Sequence, residues 1–94
     1  MTTRTAKFSP FDYLDTDEEI REFLQEAWDD EDPVVFQLAL GHLTRHYGVA
    51  NVAKEMGVGR NSLYKSINGK VEPKIGTVKQ ILKATNINLQ FAIG

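Results

Sequence analysis

Cysteine is absent from the 94 residues, so neither a disulfide framework nor a thiolate zinc site can be built. No stretch approaches the ~18 consecutive apolar residues of a membrane span, so no membrane partner is expected. Met1–Pro10 lacks the apolar core of a secretory signal, and a cytoplasmic protein is the expectation. Histidine is scarce. His42 and His46 stand four apart on one predicted helix, a spacing that can hold a metal. They have no third ligand nearby and no His-Glu-x-x-His pattern, so helix-end packing is their expected role. No Ser-His-Asp order or glycine-rich phosphate loop can be assembled. The acidic run Asp29–Asp32 lacks the glycine and spacing of a calcium loop. No cofactor, metal or enzyme chemistry is expected.

What the chain does have is an uneven charge. Residues 1–32 carry eleven carboxylates against Arg4, Lys7 and Arg21, a net −8. Residues 33–94 carry eight cations against Glu55 and Glu72, a net +6, and the two halves together give the overall −2. For any single charge, solvation of a helix face is explanation enough. A polarisation of this size points to two different partners, one polyanionic and one basic.

Hydrophobic spacing predicts an all-α chain with a short closing strand. Residues 1–12 show no periodicity and read as a tail, and 13–94 as one domain. Thr16-Asp17-Glu18-Glu19 has the form of a capping box, opening a helix over 17–29 with Ile20, Phe23, Leu24, Ala27 and Trp28 in phase. Asp32-Pro33 starts a second helix that runs to Tyr47 and stops at Gly48, its inward stripe being Phe36, Ala39, Leu40, Leu43 and Tyr47. A short helix over 49–56 and another from Arg60 to Asn68-Gly69 follow. Pro73 opens the last, to about Thr85, with Ile75, Val78, Ile81 and Leu82 facing inward. Ile87, Leu89, Phe91 and Ile93 then alternate with polar or small residues, the period of a strand. Since the chain holds no second strand, Leu89, Phe91 and Ile93 are expected to pair with another copy.

The two short helices make a demanding unit. Ala53 is small where the second helix crosses the first, Gly57 allows the turn, Val58 follows it as a buried residue, and Leu63 and Ile67 anchor the second helix inward. Arg60, Asn61, Ser62, Tyr64, Lys65 and Asn68 are left to face outward. Arg pairs bidentately with guanine and Asn with adenine, and Ser suits either, so this face has the chemistry of a major-groove reader. Lys65, Lys70 and Lys74 would lie along phosphates. An ordinary helical hairpin remains the plainer alternative. Trp28 also reads two ways. It packs on Phe23 and Leu24, or it anchors a basic partner amid Glu19, Glu22 and Glu26.

The stretch 52–68 resembles the helix-turn-helix of phage Cro and repressor proteins, with Ala53, Gly57, Val58, Leu63 and Ile67 at that motif's structural positions. The match implies a lambda-repressor-like five-helix domain in which Arg60, Asn61, Tyr64 and Lys65 read DNA. From Tyr13 to Ile93 the chain resembles the HigA-like addiction-module antidotes. The residues that carry this are the Tyr13-Leu14 start, the acidic first helix, VAKEMGVGRNSLYKSING, PKIGTVKQILKA and the apolar closing segment. Gly59-Arg60-Asn61, at the apex of the reading helix, departs from that family's pattern. The resemblance implies an antitoxin of a type II toxin–antitoxin module. Such a protein binds a basic RelE/HigB-like toxin, here through Glu19, Glu22, Phe23, Glu26 and Trp28, and as a homodimer represses its own operon at a palindromic operator. A Cro-like prophage regulator without a toxin, and a module that binds only protein, are the alternatives.

Overall fold

The computed structural model describes residues 16–94. The expected tail and Tyr13-Leu14 lie outside these. Thr16 forms the capping box of α1 (Asp17–Asp29): its hydroxyl accepts from the Glu19 amide at 3.1 Å and its own amide donates to Glu19 Oε1 at 3.2 Å. Two first-turn amides thereby find partners that the helix itself cannot supply. The acidic run that follows does structural work at the corner. Asp30 accepts from the Asp32 amide at 2.9 Å, and Asp32 accepts from Val34 at 3.0 Å as the N-cap of α2 (Pro33–Tyr47). Pro33, with no amide hydrogen to place, fits the first position of that helix.

Helix α2 ends at Gly48, and α3 (Val49–Met56) begins immediately. Gly57 closes α3 in the left-handed region at φ +73°, and the Val58 amide bonds back to the Ala53 carbonyl at 3.0 Å. After a three-residue turn over 57–59 comes α4 (Arg60–Ile67). Helix α5 (Ile75–Ala84) is capped by Thr85, whose buried hydroxyl donates to the Ile81 carbonyl at 2.8 Å.

The core has two clusters. Leu40, Val52, Ala53, Leu63, Ile67, Ile81 and Leu82 form one, between α2, α3, α4 and α5. Leu24, Ala27, Ala39 and Leu43 form the other, between α1 and α2. Phe36 and Ile87 pack against both. Helix α1 packs mainly on α2, which lies between it and α4.

Four expectations need correction. Val58 is 38% exposed and not buried: its amide completes the cap of α3 while Leu63 and Ile67 occupy the interior beneath the turn. Tyr47, in the last turn of α2, is exposed. Ile75 is 71% exposed, because α5 starts two residues later than Pro73 and its first turn, with exposed Lys74 and Gly76 around it, extends past the helices it packs on. Finally, no strand is present among the described residues. The Ile87 amide still bonds to the Leu82 carbonyl at 2.8 Å, after Asn86 has turned the chain at φ +62°, but residues 88–94 have no backbone partner in the described chain. A period-two pattern becomes a strand only against a second edge.

Gly57 and Gly59 both stand in open space, but only Gly57 has a positive φ. Gly57→Ala is therefore expected to destabilise the domain by about 1–2 kcal/mol through left-handed strain, and Gly59→Ala, an N-cap change without that strain, to cost less, as urea unfolding of the two variants would measure.

Candidate nucleic-acid and partner interfaces

On α4, Leu63 and Ile67 are each 1% exposed and fix which side of the helix faces in. The remaining positions, Arg60, Asn61, Ser62, Tyr64 and Lys65, are exposed together on the free face. The side chains of Arg60, Asn61, Tyr64 and Lys65 have no hydrogen bond or ion pair among the described residues, so their donors are uncommitted. No side chain caps the start of α4 at Gly59, which leaves the first-turn amides open as well. An anion approaching this end meets amide hydrogens, the positive end of a helix dipole and a guanidinium.

The flanking residues are placed less uniformly. Asn68 is exposed, but its Oδ1 accepts from the Lys70 amide at 2.8 Å, so half of its amide group is spent on the turn. Lys70 follows in that turn, and Lys74 is the N-cap residue of α5; both are exposed. Ser66 Oγ donates to the Ser62 carbonyl at 3.3 Å, and Ser62 itself is exposed.

The five residues expected on the acidic arm do not form one surface. Glu19 belongs to the capping box. Phe23 and Glu26 line a groove of about 340 Å³ between α1 and α2, with Ala27, Asp30, Val35, Leu38, Ala39 and His42. Trp28 lies 5.0 Å from Phe36, ring centre to ring centre and edge-on at 87°, in a separate cleft of about 790 Å³ that includes Ile20, Leu24, Tyr47, Leu89 and Phe91. At 100° per residue, Phe23 and Trp28 are about 140° apart around the helix, so one flat partner surface cannot cover both. Trp28 is neither fully inside nor free of the core: it is 53% exposed while packed edge-on against Phe36. Glu22 is exposed. The exposed Arg21–Glu18 pair, at 3.5 Å, leaves the acidic balance of α1 almost untouched.

No group of three or more possible ligands exists among the described residues to extend the His42–His46 pair into a metal site. His42 lines the α1–α2 groove. Burial first, and then the charge of Arg45, hold its imidazole below the ordinary value of 6.5. Nothing in the one-dimensional pattern singles out Gln37, which is buried on α2 and bonded to two distant carbonyls. A polar residue in phase with an inward stripe is the only trace it leaves.

The described residues are thus all-helical outside their turns and closing segment, with uncommitted cationic side chains and amides on α4 and an acidic α1. The profile of a family described as probable addiction module antidote protein matches residues 4–93. A protein of Haemophilus influenzae (strain Rd), described as uncharacterized, is 31% identical over 93 residues, covering 99% of this chain and 94% of that protein. No solved structure matches. The chain belongs to the family of probable addiction module antidote proteins. No helix of the described residues is long and apolar enough to cross a membrane.

The lowered value for His42 sets the sign of a pH effect. Folding favours the neutral ring, so its contribution is fully present above about pH 6.5 and is lost below it, where the unfolded chain takes up the proton first. Thermal unfolding between about pH 7.5 and 5 should show a shallower fall in Tm for His42→Gln than for the wild type.

Proposed function

We propose that this chain is the antitoxin of a type II toxin–antitoxin module, and that it binds two partners without catalysing a reaction. The first is a basic RelE/HigB-like toxin, engaged by the acidic α1. The second is double-stranded DNA upstream of its own gene, read by α3 and α4 acting as a HigA-like, Cro-type helix-turn-helix. Membership of an antidote family supports a toxin partner in general. The observation that carries the DNA reading is the free face of α4, where Arg60, Asn61, Tyr64 and Lys65 stand exposed with nothing in the described residues to satisfy them. Such side chains at the start of a helix can reach base edges in the major groove, with Lys70 and Lys74 along the backbone. The setting would be the cytoplasm.

The repressor would act as a dimer. Leu89, Phe91 and Ile93 are 54%, 87% and 98% exposed, on a segment with no charged residue and no backbone partner among the described residues. An antiparallel match to the same segment of a second copy would supply the missing edge, and the two-fold axis would set the reading helices about one duplex turn (~34 Å) apart on a palindrome. The split of the acidic arm supports a toxin contact centred on Glu22, Phe23 and Glu26, on the face that Trp28 does not share.

Gel-shift titrations on the upstream palindrome test the reader. Arg60→Ala should cost about 1–3 kcal/mol and relax specificity at one base position, and Lys70→Ala should weaken all sequences alike and lower the salt slope by about 1. Binding that ignores both changes removes α4 from the interface. Co-expression with the neighbouring gene tests the partner. A short basic product that co-purifies supports the antitoxin, whereas its absence leaves a Cro-like regulator. Phe91→Asp should convert the dimer to monomer in sedimentation, and an unchanged mass would refute the closing segment as the dimer contact.

A further inference from the structure

We propose that Gln37, far from the free face of α4 in sequence, is the positioning residue that sets the reading helix and the Lys70 turn against α2. The inference rests on α4 being the DNA reader. Gln37 is 5% exposed, and its Nε2 donates to the Ser66 carbonyl at 2.9 Å and to the Val71 carbonyl at 2.7 Å. Both partners are acceptors, so only the NH₂ end of the amide can face them, and both of its hydrogens are used. Ser66 lies in the last turn of α4, where carbonyls have no partner within the helix. Val71 lies beyond the turn that follows. One side chain therefore ties both ends of the segment 66–71 to a helix about 30 residues earlier in the chain.

The turn between these two bonds lies against the same helix. Gly69 has φ +82°, and a Cβ there would stand 3.1 Å from Leu38 Cδ2 and 3.6 Å from Val34 Cγ1. Asn68 Oδ1 holds the Lys70 amide at 2.8 Å. The Lys70 backbone is thus held by Asn68 within a turn whose flanking residues Ser66, Gly69 and Val71 rest on α2, while its ammonium group stays in solvent. Losing the Gln37 bonds would not open the core, because Leu63 and Ile67 hold α4 through Leu40, Val52 and Ala53. The Val71 carbonyl sits on an exposed residue and can turn to water. The expected consequence is a loosened turn on a folded domain, a change in where Lys70 and the end of α4 stand relative to a bound duplex.

The test uses the full chain with Gln37→Leu, which keeps the bulk and removes both donors, and Gln37→Asn, which keeps the amide but is one methylene too short to span both carbonyls. Amide ¹⁵N relaxation is read at Gly69, Lys70 and Val71 without DNA, and operator affinity is read against salt at a temperature where circular dichroism shows full helix content. Both variants should show added fast motion at these three amides, about a tenfold loss of operator affinity, and a salt slope lower by about 1. If one variant fails to fold, the other decides. Amides as rigid as wild type overturn the clamp. A loosened turn with wild-type affinity and slope overturns its role in recognition. Failure of the DNA reading itself looks different: the wild-type chain would then show no salt-dependent operator binding, while the relaxation data would still report on the clamp.

Discussion

Helix α2 buries two faces at once, and the other four helices take their places from that. Leu40 enters the cluster shared with α3, α4 and α5, while Ala39 and Leu43 enter the cluster shared with α1. Burying each aliphatic side chain of this kind contributes about 1.5–3 kcal/mol. An exposed ion pair such as Arg21–Glu18 contributes a fraction of that, about 0.2–1 kcal/mol. Packing on α2 therefore decides the architecture, and surface charge is free to serve binding. A helix buried on two sides must also account for its polar groups. Gln37 bonds to Ser66 and Val71, Thr44 donates to the Leu40 carbonyl at 2.8 Å, and no buried side-chain donor or acceptor among the described residues is left unpaired.

The same helix keeps the two charge populations apart. With side chains, a helix is about 10–12 Å across, whereas charges are screened over about 8 Å at physiological ionic strength. The carboxylates of α1 and the cations of α4 therefore act largely independently, and an overall charge of −2 says little about what either surface attracts. A nearly neutral composition can belong to a protein that binds a polyanion, provided the opposite charges are held on the far side of a packed layer.

The parts of this arrangement legible in the sequence are those with local causes. Thr16 with Glu19, Asp32 with Pro33, and Gly57 each mark a helix end through contacts within a few residues, and each boundary stands where the pattern puts it. The free face of α4 was legible too, because Leu63 and Ile67 leave it no other orientation. Burial at element ends was not. Val58, Tyr47 and Ile75 are apolar and in phase, yet each is exposed at an element's edge: Tyr47 in the last turn of α2, Val58 in the turn between α3 and α4, and Ile75 at the start of α5. The unity of the acidic arm was not legible either, since composition counts Phe23, Glu26 and Trp28 together, whereas helix geometry sends them to two grooves. Gln37 depends on carbonyls 29 and 34 residues away, and no local pattern encodes them.

In the closing segment a whole element of the pattern is absent from the described residues. Its alternation is regular, it carries no charge, and its apolar side chains increase in exposure from Leu89 to Ile93. Ile87, at its start, packs against both core clusters, so the segment leaves the domain from a fixed point. Leu89 and Phe91 line the same cleft as Trp28. An open backbone edge carrying uncharged, apolar side chains, with no partner among the described residues, gains both hydrogen bonds and buried apolar surface from another uncharged edge. A second copy of the segment offers both without electrostatic cost. The strand period therefore marks an edge that the described residues alone do not complete.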